Sequence, residues 1–254
     1  MNLQNKIALI TGASRGLGKD MALTMAAHGA DIIITYQHKA TEAEAVAAAI
    51  IATGRQALAL QLDVADTTAF PHFTTQIKTA LQQYWKRDHF DILVNNAGID
   101  AAAPFVSTTE ENFDRLFQVH FKGAFFLTQQ LLPLIAEHGR IINVSSGLTR
   151  FSTPGYIAYA SMKGAIEVFT RYLAKELGHR GITVNAIAPG AIDTDFLNAA
   201  TAAHPELKNY LATQTALGRL GVPEDIGGVV AMLCSEEGRW ITAQRLEASG
   251  GMFL

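Results

Sequence analysis

Tyr159 and Lys163 stand four residues apart in Tyr159-Ala160-Ser161-Met162-Lys163, a spacing that on a helix sends both side chains out of one face. A phenol beside an ammonium can trade a proton with a bound molecule. The phenol is the general acid in one direction and the phenolate the general base in the other. Holding that phenolate near neutrality, against an ordinary pKa of about 10, takes about 3 to 4 kcal/mol of differential stabilisation, and a neighbouring positive charge is one source of it. The same spacing arises when an aromatic ring packs and a lysine snorkels beside it, so the pair gains meaning only from its surroundings.

A second candidate lies near the start of the chain. The run Thr11-Gly12-Ala13-Ser14-Arg15-Gly16-Leu17-Gly18 follows an apolar stretch, Ile7 to Ile10, and leads at once into a helical pattern. A strand that turns through glycines into a helix N-terminus offers free backbone N–H groups and the positive end of the helix dipole. The missing side chains let a pyrophosphate approach. The spacing differs from G-x-G-x-x-G, so the run points to dinucleotide binding by mechanism rather than by fingerprint.

The elements that must position these groups can be read from hydrophobic periodicity. Short β-branched runs recur at Ile7 to Thr11, Asp31 to Tyr36, Ala57 to Leu62, Asp91 to Asn95, Arg140 to Ser145, Thr183 to Ala188 and Arg245 to Ala248. Between them lie candidate helices at about 17–28, 41–53, 67–85, 110–137, 156–177 and 224–235. This alternation predicts an α/β fold: a doubly wound, Rossmann-type parallel sheet of about seven strands with helices on both faces. With 254 residues, 49% of them hydrophobic, one domain over 1–254 is expected. The long stretch from Gly190 to Gly221 reads as irregular, and a long connection in a compact domain suggests a cover over the substrate.

Composition narrows the function. Charged residues make up 17% of the chain and the net charge is -3, which leaves no basic field for nucleic acid or an anionic membrane. The opening apolar run is too short for a signal segment or a membrane span, so a cytoplasmic protein is expected. The single cysteine, Cys234, allows no internal disulfide and reads as a small buried apolar residue on a late helix. His28, His38, His72, His89, His138, His179 and His204 lack the spacing of zinc ligands, and no metal site is expected.

Taken together, these residues resemble the short-chain dehydrogenase/reductase family, whose glycine motif reads T-G-x-x-x-G-x-G. Asp63-Val64, Asn95-Asn96-Ala97-Gly98, Ser145-Ser146, Tyr159 with Lys163, and Pro189-Gly190 match that family in order and spacing over nearly the whole chain. The resemblance implies hydride transfer between a nicotinamide dinucleotide and a carbonyl or alcohol. It assigns Tyr159 as acid or base, Lys163 to the phenol and the nicotinamide ribose, and Ser146 to the substrate oxygen. Ser145 is the competing serine, and Ser146 is preferred on family spacing. Gly12, Ser14, Arg15, Gly16, Leu17 and Gly18 would cradle the pyrophosphate. Asp63 and Val64 would meet the adenine, and Asn95, Ala97 and Gly98 would line the cofactor floor. Pro189 and Gly190 would also contact the cofactor, with Ile192 and Thr194 at the nicotinamide amide. His120 stands where the family usually carries an asparagine that holds a water linking the lysine to solvent. Either His120 takes over that relay, carrying a proton near neutral pH, or it fills the space while a backbone carbonyl holds the water.

The end of the second strand, Tyr36-Gln37-His38-Lys39, carries no carboxylate to repel a 2'-phosphate, and Arg15 can meet one with a fork of donors. NADP(H) is therefore expected over NAD(H). Phe151, Pro154, Tyr156, Phe196 and Leu197 are candidates for an apolar substrate wall. The chain also resembles 3-oxoacyl carrier-protein reductases, including Arg180 before Gly181-Ile182-Thr183-Val184-Asn185. Docking an acidic carrier wants a basic surface, and Glu137 stands where such reductases commonly have a second basic residue. Sugar or polyol oxidation, as in glucose dehydrogenase-like members, and a dinucleotide-sensing protein without catalysis are the alternatives. A homotetramer is the family expectation, with the apolar C-terminal end available to a neighbour if exposed.

Overall fold

The computed structural model describes residues 1–202 and 206–254, so His204 lies outside the described residues. Seven strands form one sheet: β1 (Ile7–Ile10), β2 (Asp31–Tyr36), β3 (Ala57–Gln61), β4 (Phe90–Asn95), β5 (Ile135–Val144), β6 (Thr183–Pro189) and β7 (Arg245–Ala248). Their order is β3-β2-β1-β4-β5-β6-β7 and every ladder is parallel. β2 and β3 are added on one side of β1 and β4 on the other, which opens a crevice at the carboxyl ends of β1 and β4.

The helices are α1 (Gly16–Ala27), α2 (Ala40–Ala52), α3 (Phe70–Ala80), α4 (Glu110–Phe117), α5 (Gly123–Leu131), α6 (Ile157–Leu177), α7 (Asp195–Ala200), α8 (Glu206–Thr213) and α9 (Glu224–Cys234). β1 is apolar throughout because both its faces are covered. Ala8 and Ile10 pack with residues of α1, α2 and α9, while Ile7 and Leu9 pack with residues of α3, α5 and α6. Each such buried leucine or isoleucine contributes roughly 1.5–3 kcal/mol. Cys234 is buried at the end of α9, as expected. No helix among the described residues is long and apolar enough to cross a membrane.

Three elements depart from expectation. The helix expected through Glu137 ends at Leu131, because Pro133 cannot continue it, and the chain turns directly into β5. That strand opens with an irregularity between its Ile135 pairing and its Arg140 pairing, at which His138 takes a φ of 60°. Within the same helical stretch, Gln118–Lys122 forms a π-type turn. The crossing from Gly190 to Gly221 is not irregular throughout, since it carries α7 and α8. Both are short and α8 has no buried residue, so neither projects an apolar stripe that periodicity could detect.

Candidate active site

The turn between β1 and α1 is fastened by side chains from the strand ends beside it. Thr11 Oγ1 accepts hydrogen bonds from the N–H groups of Asn96 and Ala97, each at 3.0 Å. The Asn96 amide donates back to the carbonyls of Thr11 and Gly12 at 2.8 and 3.1 Å. From the other side, Gly12 N–H meets Thr35 Oγ1 and Ala13 N–H meets the Thr35 carbonyl. Gly12 and Gly16 have φ of 64° and 56°, the left-handed region that favours glycine. A Cβ on Gly18 would stand 2.5 Å from the Asn96 amide and 2.6 Å from the Gly12 carbonyl. The N-terminus of α1 has no side-chain cap and no acidic residue in its first turn, which leaves its N–H groups and dipole for an anion.

Above this turn, β5 and α6 bring the candidate catalytic groups together. Lys163 is 4% exposed and donates to the Val144 carbonyl at 2.7 Å. Its ammonium lies 5.6 Å from the centre of the Tyr159 ring. Burial lowers the Lys163 pKa to about 7. Burial pushes the Tyr159 phenol above its ordinary range, the Ser146 hydroxyl bonded to it pulls the other way, and Asp100 raises it further. The phenol is therefore held protonated rather than brought toward neutrality, because desolvation outweighs its hydrogen bond with Ser146. Ser146 lies two residues past the end of β5, and its Oγ accepts from Leu148 N–H at 3.2 Å. Ser145, the competing serine, instead gives its hydroxyl to Glu167 at 2.6 Å.

His120 is 3% exposed within the π-type turn, with its ring edge-on to Tyr159 at 5.1 Å between centroids. Its Nε2 faces both the carbonyl and the N–H of Ile99, at 2.8 and 3.2 Å, so it meets Ile99 in either tautomer, while Nδ1 is buried and without a partner. Burial first, and then Lys163, lower its pKa to about 3. The expectation that His120 carries a proton near neutral pH is thus corrected: in this site it is neutral. A cavity of about 10 Å³, roughly the space of one water, is lined by His120, Lys163, Asn95 and Thr11 among others.

The remaining expected residues divide between the crevice and the frame. Asn95 gives its amide to Thr128 at 3.0 Å and Asn143 at 2.8 Å, joining β4 to α5 and β5, while its Oδ1 is buried without a partner. Ala97 and Gly98 follow on the crevice floor, where a Cβ on Gly98 would stand 2.9 Å from the His120 ring. Asp63 accepts from Gln37 at 2.7 Å and lines a groove of about 590 Å³ with Gln37, Ile99, Arg115 and Val119. Val64 is buried and also lines the small cavity beside Lys163. Pro189 ends β6. Gly190 packs so closely on Ser249 that a Cβ would approach it to 2.9 Å. Ile192 bridges to Gly221, and Thr194 lies beside Gly16. Arg15 is exposed and pairs with Asp195 of α7 at 3.3 Å, Ser14 sits in the turn itself and Leu17 in the first turn of α1.

Of the expected apolar wall, Tyr156 and Phe196 each lie 6.3 Å from the Tyr159 ring. Pro154 is exposed and Leu197 half-buried in the flanking segments. Phe151 turns away and stacks on Phe253 at 4.7 Å. The C-terminal end is thereby packed on its own chain rather than free, with Met252 buried and only Leu254 fully exposed. Arg180 is consumed by Glu137 at 2.7 Å and by the carbonyls of Leu132 and Ile135, so it offers little to an acidic carrier. Motif spacing singled out Thr11 and Asn96 without their hydrogen bonds to the turn, and missed Asp100 and Glu167. Thr11 and Asn96 lie inside the matched motifs, Asp100 is the carboxylate two residues after Gly98, and Glu167 is four residues beyond Lys163 on one helix face. Among the described residues no group of three or more His, Cys, Asp or Glu side chains is placed to hold a metal ion.

The arrangement matches known proteins along its length. The sequence profile of a family described as enoyl-(acyl carrier protein) reductase fits residues 12–253. A hydroxynaphthalene reductase-like protein of Metarhizium anisopliae is 38% identical over 262 residues, covering 98% of this chain and 96% of its own. The angucycline C-6 ketoreductase LanV, solved with bound NADP, superposes with a TM-score of 0.94 at 37% identity, over 99% of this chain and 97% of that one. A short chain dehydrogenase from Burkholderia cenocepacia in complex with NADP gives 0.89 at 37% identity, over 99% of each chain.

Proposed function

The chain belongs to the short-chain dehydrogenase/reductase family of oxidoreductases, and from that premise we propose that it is an NADPH-dependent reductase of ring-bearing ketones. The observation that carries this reading is the meeting of Tyr159, Ser146 and Lys163 directly above a glycine turn built for a pyrophosphate. The turn fits a dinucleotide: its helix end is uncapped, and side chains are excluded where phosphates would approach. Bound NADPH supplies the hydride. Asp63 and the groove beside it would hold the adenosine, and Ile192 and Thr194 the nicotinamide amide.

This chain's own residues handle the oxygen and the proton. The Ser146 hydroxyl donates to the ketone oxygen and steadies the charge that grows there. Tyr159, held protonated by burial, gives its phenolic proton to the same oxygen as the carbon accepts hydride. Lys163 supports the phenolate left behind. His120, its Nδ1 buried and unpartnered, lines the small cavity beside Lys163, a place for the proton path to leave the site without an imidazolium. His120→Asn should change the pH–rate profile if the path runs there.

The rings of Tyr156 and Phe196 stand beside Tyr159, which favours a ring-bearing ketone over a sugar. The angucycline and hydroxynaphthalene reductases among the relatives point the same way. Arg15, exposed at the glycine turn, would meet a 2'-phosphate. Arg15→Ala should weaken NADPH about tenfold, the worth of roughly 1.4 kcal/mol, and leave NADH unchanged. Equal losses for both cofactors would remove that assignment. Phe113, Phe117 and Phe126 on α4 and α5, with Val168 and Tyr172 on α6, expose apolar surface that a homotetramer would cover, and a monomeric mass in solution would contradict it. The reductase itself is tested by Tyr159→Phe, which should abolish NADPH oxidation while cofactor binding persists. A dinucleotide sensor would bind equally in both proteins and turn over in neither.

A further inference from the structure

Ser146 must hold its hydroxyl at a fixed point, yet it lies on a short turn between β5 and the 3-10 segment Gly147–Thr149. What fixes that turn is a carboxylate from the helix behind it. We propose that Glu167 is a positioning residue for Ser146, its Oε1 fastening the chain on both sides of the serine. This rests on the reductase reading for its catalytic consequence and on geometry alone for the clamp.

Three groups converge on that one oxygen. Ser145 Oγ lies at 2.6 Å, Thr149 Oγ1 at 2.7 Å and Arg245 Nε at 2.7 Å. Ser145 immediately precedes Ser146, and Thr149 closes the turn three residues after it. Thr149 Oγ1 also lies 2.9 Å from the Ser146 carbonyl, and its single proton serves one acceptor at a time. Arg245 completes the hold by donating from Nη2 to the Ser146 carbonyl at 3.2 Å and from Nε to Thr149 Oγ1 at 3.1 Å. Hydrogen bonds to an ionised carboxylate are shorter and stronger than neutral ones, and Glu167 is mostly buried, with its side chain 14% exposed.

Arg245 is itself held by Glu247 at 2.9 Å, and Glu247 by Arg150 at 2.6 Å. Charge alternates along this ladder from Glu167 to Arg150, and Arg150 ends it on the carbonyls of Met252 and Phe253. Glu167 follows Lys163 by four residues, and Lys163 follows Tyr159 by four. One face of α6 therefore carries the acid, its supporting lysine and the clamp on the serine, so a single rigid helix sets the positions of all three.

The test compares Glu167→Ala with Glu167→Gln, which keeps an acceptor oxygen of the same shape. Misplacing a reacting group by about an ångström costs on the order of a hundredfold in rate. Glu167→Ala should accordingly lower kcat about tenfold to a hundredfold, with NADPH affinity unchanged because no group of the glycine turn is touched. Glu167→Gln should recover most of that loss. A residue that only stabilises the fold would lower the melting temperature and leave kcat intact at temperatures well below it, and that result overturns the proposal. Equal loss in both variants also overturns it, since the acceptor geometry would then not matter.

Should Glu167→Ala fail to fold, Thr149→Val removes one anchor at nearly constant volume. Its kcat should fall by a smaller factor, and an unchanged kcat rejects the clamp. Amide hydrogen exchange over residues 145–149 reads the clamp without any substrate. Faster exchange in Glu167→Ala but not in Glu167→Gln supports it, and unchanged exchange rejects it. Wild-type protein that turns over no ketone would instead defeat the reductase reading, leaving the exchange result to decide the clamp.

Discussion

The two sides of the crevice are built by different means. On the side of Gly12, backbone groups and short polar side chains lock each other in place: Thr11 with Ala97, Asn96 with Gly12, Thr35 with Ala13. On the side of Phe196, rings stand about 6 Å apart and the covering helices α7 and α8 are short and largely exposed. A pyrophosphate is the same in every dinucleotide and rewards a rigid mould. The carbonyl substrate differs from one reductase to the next, and its wall can vary without disturbing the mould.

That contrast is open to attack from both sides. The largest effect expected is on the floor of the mould, at His120. Its folded pKa of about 3 lies below the 6.5 of an unfolded histidine. As pH falls from 6.5 toward 3 the unfolded chain takes up a proton that the folded chain refuses, so stability is lost over that window. The loss at this one site is on the order of a few kcal/mol. His120→Asn should therefore lose less melting temperature than wild type between those pH values, and parallel curves would contradict the buried, neutral imidazole.

Next comes the glycine turn. Gly18→Ala forces a methyl against the Asn96 amide and the Gly12 carbonyl. Overpacking of this kind costs about 1–3 kcal/mol, and here it should appear as roughly tenfold to hundredfold weaker NADPH binding, read by fluorescence titration. Full affinity would mean that the mould gives way more easily than its hydrogen bonds suggest. The smallest effect belongs to the other wall. Phe196→Ala removes an exposed ring worth about 1 kcal/mol of substrate contact, which raises KM for ring-bearing ketones roughly fivefold and leaves NADPH binding alone. An equal loss of cofactor affinity would erase the distinction between the two sides.

The same division decides what could be read from the residues alone. β1, β2, β4, β5 and β6 were legible because buried β-branched runs leave an apolar signal, and only the early start of β5 was missed. There Pro133 ends a helix whose apolar periodicity runs on past it. β3 and β7 are half-buried and carry no β-branched residue, so they were legible only from their place in the alternation of strands and helices. The glycine turn, Tyr159, Lys163 and Ser146 were legible because their chemistry demands particular residues at fixed separations. α7 and α8 were not, since exposed short helices carry no apolar stripe. Nor were the role of Glu167 and the commitment of Asn95 to the frame. Both depend on partners far away in the chain, Arg245 for the one and Asn143 with Thr128 for the other. The neutrality of His120 also needed the fold, because it follows from burial beside Lys163 rather than from residue type.

The most direct test of the central claim is the absorbance of NADPH as the purified protein meets a panel of ring-bearing ketones, run beside Tyr159→Phe. Oxidation of NADPH by wild type that disappears in the variant, with NADPH binding equal in the two, is the predicted result. Undiminished turnover in Tyr159→Phe would contradict the account, because the proton would then come from somewhere other than the phenol above the glycine turn.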